Sequence, residues 1–231
     1  MKIIAIDPGL SGAICVLDEN NINVYDMPVR KIKKGKKEKN NFDIPKIVEI
    51  IKNNLSSDDE NICVIEDVHC SVGNGSVSMF NFGRGKGILE GVSNALGMKV
   101  VLVSPQSWKK AYICLETEEI VKLREKQKIK KVDLKVIKIE NKSIKDKGLK
   151  KSNKIKIKEL EKEVEKIGRQ IKSLAKDAAR SVAAKLVKSM TSSFELKKND
   201  GRAEAVLMAY YLRDHYELVQ ESEKGEENDN D

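Results

Sequence analysis

The stretch IIAIDPGLSG, Ile3–Gly12, decides the fold. Its first four residues are apolar and mostly β-branched, and a Pro-Gly pair follows one residue later. That pattern is typical of a short buried strand that ends at a turn. Asp7 therefore lies at the end of the strand, where a side chain can leave the core. Because aspartate is rarely buried without a partner, Asp7 is the first candidate for a functional residue.

The other apolar runs predict an α/β fold. Gly12–Asn21 and Ile22–Val29 have the composition of two strands joined by a turn, as in an antiparallel hairpin. Asn61–Val68 predicts a further strand, in which Glu66 takes the position that Asp7 has in the first. The remaining predicted elements are a basic loop at Arg30–Asn41, a helix after Asp43, a helix from about Met79 to Leu96, a strand from Lys99 that Pro105 stops, and a helix over Asn199–Val219.

The basic charge is concentrated in one segment. Glu118–Lys172 holds 20 Lys and Arg against 10 Asp and Glu, whereas the rest of the chain holds 24 against 26. Such a segment indicates a polyanionic partner, although an AT-rich coding sequence would also enrich lysine. We interpret it as an insertion. The final Glu217–Asp231 holds seven acids and one lysine, which predicts a disordered acidic tail.

An apolar pattern begins within the insertion and continues beyond it. Its residues recur at steps of four and three, which predicts a long helix that packs on a partner. They are Leu160, Val164, Ile167, Ile171, Leu174 and Ala178. Two alternatives remain open, because the same pattern suits a dimer interface and packing within the chain.

Composition bounds the class of protein. The 231 residues are 40% hydrophobic, enough for one sizeable core, and no apolar run approaches the ~18 residues needed to span a bilayer. We therefore expect neither secretion nor a membrane span, and a cytoplasmic setting. The cysteines lack metal-ligand spacing, so we expect reduced structural thiols. They are Cys15, Cys63, Cys70 and Cys114.

Four acids stand at the ends of predicted elements: Asp7, Glu66, Asp200 and Glu204. The last two are four residues apart and share one side of the final helix. Strand ends of open α/β sheets collect functional groups, and carboxylates held close together repel unless a cation neutralises them. The pattern predicts one or two Mg²⁺ or Mn²⁺ ions. Two such ions about 4 Å apart can activate water and stabilise the departing 3′ oxygen in phosphodiester hydrolysis.

Each of these acids also has a structural interpretation. Asp7 suits a turn, Asp200 suits a helix cap, and Glu204 suits a solvated helix surface. Glu66 is harder to explain in that way, because it interrupts a strongly apolar strand. The four acids together, in this order, support the functional interpretation more strongly than any one of them does alone.

Five segments carry a resemblance to a known family. They are IAIDPGLSG (Ile4–Gly12), VIEDVH (Val64–His69), SVSMFNFGRGKGILEGV (Ser76–Val92), VSPQSWKK (Val103–Lys110) and NDGRAEAVLMAYYL (Asn199–Leu212). In order and in spacing within each block they resemble RuvC-type Holliday junction resolvases of the phage and phage-like branch. The resemblance implies an RNase H-like mixed sheet flanked by helices, with the Lys-rich insertion and a long helix before the last motif. It also implies a homodimer that makes symmetric, Mg²⁺-dependent nicks in four-way DNA junctions.

The resemblance also implies roles for individual residues. Asp7, Glu66, Asp200 and Glu204 match the family's metal-binding catalytic carboxylates, which hold two Mg²⁺ ions for which Mn²⁺ can substitute. Many resolvases carry the last two acids three apart, whereas here they are four apart, so Asp200 is either a ligand or a cap. Lys176 matches an active-site lysine on the helix before that motif.

The same resemblance sets the expected domain organisation and setting. It predicts one nuclease domain over residues 1–216, interrupted by the insertion at about 116–172 and followed by the tail at 217–231. The expected location is the cytoplasm of a bacterium or of a phage-infected host.

Six further residues are candidates for contacts with branched DNA: Phe80, Phe82, Arg84, Lys86, Lys109 and Lys110. Glycines beside the cations would let them approach phosphates, and an exposed aromatic ring could wedge into an unstacked junction. The alternatives are that the phenylalanines pack in the core or in a dimer and that the lysines are solvated. Trp108 is interpreted as a packing anchor.

Three other functions are compatible with the sequence. A nuclease that cuts flaps or forks would share the fold and the metal site. A DNA-binding protein that has lost the chemistry is a second alternative, which the intact acids disfavour. An actin-like ATPase is a third, because DPGLSG also resembles the first phosphate loop of that superfamily. The second glycine-rich loop that such an ATPase needs is missing from the sequence.

Overall fold

The structure, a computed structural model, describes residues 1–19, 21–35, 37–68, 75–114 and 116–228. The chain divides into two compact units. The first unit consists of Met1–Tyr112 and Ala179–Asp231, and the second of Ile113–Ala178.

Seven strands and six α-helices are present in the described residues. The strands are β1 (Lys2–Ile6), β2 (Ala13–Leu17), β3 (Ile22–Asp26), β4 (Val29–Lys34), β5 (Lys37–Phe42), β6 (Asn61–Glu66) and β7 (Lys99–Val103). The helices are α1 (Ile44–Asn54), α2 (Ser76–Ala95), α3 (Pro105–Ala111), α4 (Glu118–Ser143), α5 (Lys147–Leu186) and α6 (Asp200–Asn228). Two short 3₁₀ helices, Lys188–Phe194 and Lys197–Asn199, precede α6.

The central sheet has five strands in the order β3-β2-β1-β6-β7. β1, β2 and β3 form an antiparallel meander, whereas β1, β6 and β7 run parallel to one another. The parallel strands are connected through helices, as parallel pairing requires. The predicted mixed α/β sheet flanked by helices is therefore confirmed.

Helices cover the two faces of this sheet. Side chains alternate along a strand, so Ile4 and Ile6 of β1 point to one face, where they join a core with Ile47 of α1 and Leu89 of α2. The intervening residues of β1 point to the other face, and α6 contacts β1, β2 and β3. The side chains of β1 and β6 that point to this second face therefore lie against α6.

The segment Arg30–Asn41, predicted to be a loop, is instead a β-hairpin. β4 and β5 pair antiparallel from Val29 opposite Phe42 to the turn, where Gly35 has a φ of +66°. Lysine is uncommon in buried strands, which is why the composition suggests a loop, but a two-stranded ribbon leaves its lysines in water. The base of the hairpin is anchored by Phe42, which is buried in the core.

The helix starts agree closely with sequence signals. Asp43 caps α1 by accepting a hydrogen bond from the Lys46 amide at 3.4 Å, and Pro45 lies in the first turn. α2 begins at Ser76, three residues before the predicted start. Gly97 follows it with a φ of +76°, a conformation that favours glycine.

The second unit is a pair of helices formed by α4 and the part of α5 within Ile113–Ala178. The Gln127 amide donates to the Val164 carbonyl at 3.0 Å, and Lys130 pairs with Glu163 at 2.9 Å. These contacts join α4 to the row of apolar α5 residues beginning at Leu160. They support packing within the chain, the second of the two alternatives for that row.

Several other sequence expectations concern the chain as a whole. α6 continues to Asn228, into the acidic segment for which the sequence predicts disorder, and residues 229–231 lie outside the described part. Cys15 and Cys63 are buried and free and Cys114 is buried, while Cys70 lies outside the described residues. None of the described helices is long and apolar enough to cross a membrane.

Candidate metal centre

The pairing of β1 with β6 brings Asp7 and Glu66 together. Ile6 is opposite Ile65 in this parallel pair, so the next residue on each strand path is an acid. Parallel neighbours lie about 4.8 Å apart. Alternation places both acids on the α6 side of the sheet, since Ile6 and Ile65 belong to the core on the other face.

Helix α6 supplies a third carboxylate. Asp7, Glu66 and Glu204 each offer an oxygen, and the three oxygens lie within 4.8 Å of one another. Glu66 and Glu204 are buried and Asp7 is half-buried. This group could hold a metal ion, and its ligands are all oxygens, the donors that Mg²⁺ and Mn²⁺ prefer.

Two glycines allow α6 to lie against the loop that carries Asp7. A Cβ on Gly201 would lie 2.6 Å from the Gly12 Cα, and a Cβ on Gly12 would lie 2.9 Å from the Asp7 Cγ. Only glycine fits such a close backbone approach. Glu204 follows Gly201 by three residues, so this contact sets its distance from the loop.

A salt bridge fixes the same end of α6 on another side. Arg202 donates from Nε and Nη2 to the two oxygens of Asp26, at 2.6 and 2.7 Å. Asp26 is the last residue of β3. The hydrogen bond from Arg202 lowers the pKa of Asp26 below its ordinary value, which keeps this pair charged at neutral pH.

Lys109 lies among the carboxylates, a position that sequence reasoning missed. Its Nζ is 3.4 Å from Glu204 Oε1 and 3.7 Å from Glu66 Oε1. The sequence predicts that Lys109 contacts DNA, and that role stays a prediction. One feature of the sequence could have indicated that Lys109 lies near Glu66. α3 starts two residues after β7, the neighbour of β6, so α3 begins at the sheet edge that carries Glu66.

Trp108 holds the Glu66 carboxylate through a hydrogen bond. Its ring is fully buried, in agreement with the interpretation as a packing anchor, and its Nε1 donates to Glu66 Oε1 at 3.2 Å. Ser104 caps α3 by accepting from the Ser107 amide at 3.2 Å. The capped α3 thus positions both the indole donor and Lys109.

The electrostatics of the site depend on how the acids are neutralised. Burial raises the pKa of Glu66 above its ordinary value, the Lys109 ammonium acts in the opposite direction, and the Glu204 charge raises it further. A carboxylate in this position is therefore costly to ionise without a cation. Lys109 provides one positive charge beside Glu66 and Glu204, and a divalent cation would neutralise the cluster further.

The cluster does not include Asp200, the fourth predicted ligand. Asp200 is the first residue of α6, and its carboxylate pairs with Arg180 Nη1. Arg180 is only 9% exposed, so this pair is largely shielded from water. Sequence reasoning missed Arg180, although a single arginine within the alanine-rich run LAKDAARSVAAKLV is a detectable signal.

The residues predicted to contact DNA have different surroundings. Phe80 is 70% exposed on α2, Arg84 and Lys110 are exposed, and Phe82 is half-buried. Lys86 pairs with Asp67 and, at 3.5 Å, with Glu90, so its charge is already neutralised within the fold.

A groove begins beside the Asp7 loop. Its volume is about 420 Å³. Its lining includes Pro8 and Leu10 of that loop, Phe82 and Arg84 of α2, and Lys39 of β5. The described lining residues include two cations and no acid, so the groove suits a negatively charged chain.

Lys176 belongs to the second unit, on α5, and its side chain is exposed. The predicted role of Lys176 as an active-site cation stays a prediction.

Comparison with known proteins assigns no family to this chain. No protein-family model matches it, and no curated protein is significantly similar to it. The chemistry of the site must therefore be inferred from its own side chains and their surroundings.

Proposed function

We propose that this protein is a metal-dependent endonuclease that resolves four-way DNA junctions by paired, symmetric nicks. The observation that carries the proposal is the cluster of Asp7, Glu66 and Glu204 at one edge of the sheet. The strand order β3-β2-β1-β6-β7, with its antiparallel meander and parallel half, is compatible with an RNase H-like fold. The five motifs that resemble RuvC-type resolvases support the same conclusion.

The three carboxylates would hold the metal. One or two bound Mg²⁺ ions, with Mn²⁺ as a substitute, would activate the attacking water and stabilise the departing 3′ oxygen. Asp7, the least buried of the three, directly precedes Pro8 of the groove lining and would face the scissile phosphate. Glu66 and Glu204 are held in place by Trp108 and by the packing of α6, so the ligand geometry is formed before substrate binds.

Lys109 has a second function in this proposal. Without a metal it neutralises part of the charge on Glu66 and Glu204. When the carboxylates hold a divalent cation, the ammonium is free to turn toward a phosphate oxygen of the DNA. This would stabilise negative charge that develops during hydrolysis.

The groove beside the Asp7 loop would carry the DNA strand to the metal. Arg84 and Lys39 would contact phosphates, and the half-buried Phe82 would stack on a base that the junction leaves unpaired. Phe80, exposed on the same helix, is the better placed of the two rings to enter the junction centre. Two identical cuts require two sites, so we propose that a homodimer acts on each junction.

The test is a cleavage assay on three substrates of matched sequence: a four-way junction, a flap and a plain duplex. Wild type, Asp7→Asn, Glu66→Gln and the control Asp58→Asn are compared in Mg²⁺ and in EDTA. Asp58 is an exposed loop acid, so its substitution makes the same chemical change outside the site. We expect paired nicks in the four-way junction from wild type and from the control only, and only in Mg²⁺.

Other outcomes would identify a different function. Equal cutting of the flap would indicate a nuclease for branched DNA in general. Binding to the junction without cutting in Mg²⁺ or Mn²⁺ would indicate a structural DNA-binding protein. A normal cleavage rate for Asp7→Asn would refute the assigned site.

A further inference from the structure

α4 carries a second apolar row besides the one that faces α5. We call this row the α4 stripe, and its side chains are about half exposed or more. The α4 stripe consists of Ile129, Val132, Val136 and Ile139, which are 62%, 55%, 49% and 58% exposed. Their spacing of three, four and three places them on one face of the helix. An apolar row of this kind on a helix surface marks an interaction site.

The α4 stripe faces away from α5. The contacts with α5 come from Gln127, which donates to the Val164 carbonyl, and from Lys130, which pairs with Glu163. At 3.6 residues per turn, these positions and the half-buried Leu134 lie on the side of α4 opposite the stripe. Packing within the second unit therefore leaves the stripe uncovered.

Charged residues flank the α4 stripe in a heptad pattern. With Ile129 and Val136 at position a, Val132 and Ile139 take position d, as in a coiled-coil seam. The residues at position g are Lys128, Lys135 and Lys142, and the acids at position e are Asp133 and Glu140. One flank of the stripe is therefore basic and the other carries acids. All five charged side chains are exposed.

This arrangement is complementary to itself in one orientation. In a parallel pair of helices, a g residue faces the e residue five positions later on the other helix. Lys128 would then face Asp133 of the second copy, and Lys135 would face Glu140, each twice by symmetry. In an antiparallel pair the g residues face each other, which places lysine against lysine and acid against acid.

We propose that the α4 stripe is a homotypic interface through which two copies of this chain associate with their α4 helices parallel. The charge pattern favours a second copy over nucleic acid, because the centre of the face is apolar and one flank is acidic. The inference rests on the homodimer of the proposed function and names the surface and orientation of that dimer. Its test contains neither DNA nor metal, so it can fail while the nuclease activity stands. Only about 15 Å of helix separates Ile129 from Ile139, so the association is weak and depends on concentration.

The first experiment measures mass against concentration by light scattering for the full chain. The variant Lys128→Glu/Lys135→Glu and the reciprocal variant Asp133→Lys/Glu140→Lys each place like charges across the interface. We expect each variant alone to associate at least about tenfold more weakly than wild type, because four ion pairs become repulsive. An equimolar mixture of the two variants regains opposite charges at every pair and should associate again.

A matched control separates this effect from net charge. Arg124→Glu/Lys131→Glu changes the net charge by the same amount at exposed positions outside the g and e flanks, and it should associate like wild type. The proposal is overturned if wild type stays monomeric at every concentration, if it forms more than pairs, or if the two flank variants associate as strongly as wild type.

The second experiment reads the orientation. Ile129→Cys and Ile139→Cys are made separately in a Cys70→Ser background, in which the other native cysteines are buried. A disulfide requires Cα atoms within about 7 Å, so parallel helices link each variant to itself. Antiparallel helices would link the two variants only when they are mixed. That result, or no linkage beyond the Cys70→Ser background, would overturn the proposal.

Discussion

Glu66→Gln should change the stability of the protein in opposite directions with and without metal. The variant keeps the shape of the side chain and an oxygen that can accept from Trp108, and it removes one negative charge from the cluster. At 4.8 Å and an effective dielectric constant of about 20, each like-charged pair in the cluster costs at least about 3.5 kcal/mol. Glu66 takes part in two such pairs, with Asp7 and with Glu204.

The attraction to Lys109 offsets part of this repulsion. At 3.7 Å it contributes about 4.5 kcal/mol on the same scale. Removing the charge of Glu66 should therefore stabilise the metal-free protein by about 2.5 kcal/mol, which raises Tm by roughly 5–10 °C for a chain of this size. Saturating metal at about 100 times Kd should stabilise wild type by about 2.7 kcal/mol and the variant hardly at all.

The assay is thermal unfolding in EDTA and across a Mn²⁺ titration, with Lys109→Met as the contrasting variant. Lys109→Met removes the cation, so its Tm in EDTA should fall below that of wild type and its response to Mn²⁺ should be larger. A Glu66→Gln protein that is less stable than wild type in EDTA, and that responds to Mn²⁺ as wild type does, would refute the reasoning.

Three further outcomes are expected. Burial raises the pKa of Glu66, so its protonated side chain contributes to stability below the ordinary carboxyl pKa of 4.5, and this contribution is lost as pH rises through the raised value. The stability advantage of Glu66→Gln over wild type in EDTA should therefore vanish near pH 4 and grow above it. Gly201→Ala should cost about 1–3 kcal/mol in urea unfolding and weaken Mn²⁺ binding, whereas Gly91→Ala, which has open space around it in α2, should be neutral or stabilising. Asp200→Asn should keep the Mn²⁺-dependent rise in Tm, which Glu204→Gln should lose; equal loss in both would place Asp200 among the ligands.

The neighbourhood of Asp7 and Glu66 could be foreseen because it depends on local rules. Each acid ends an apolar strand, and two parallel strands in register present their ends at one edge. The position of Glu204 beside them depends on how α6 packs across the sheet. The sequence places Glu204 at the start of a helix that could reach the same sheet edge, and the resemblance to a family supports that placement, but strand and helix patterns alone do not specify which ends meet.

Other parts of the site depend on tertiary packing that composition conceals. Lys109 belongs to a short helix whose direction is set by Trp108 in the core, so its nearness to Glu66 cannot be seen from spacing along the chain. The hairpin of β4 and β5 is rich in lysine, which disfavours strands on average although an exposed ribbon tolerates it. The pair of Arg180 and Asp200 joins residues 20 positions apart, and the sequence around Asp200 by itself favours a helix cap.

The three carboxylates come from distant parts of the chain, and this affects the protein while it is still being made. As the polypeptide leaves the ribosome, the strands that carry Asp7 and Glu66 emerge long before α6 does. Until α6 packs on β1 and β2, the growing chain has two of the three acids and an uncovered sheet face. On the proposed function, an unfinished or prematurely terminated product would therefore be unable to cut the DNA of the cell that makes it.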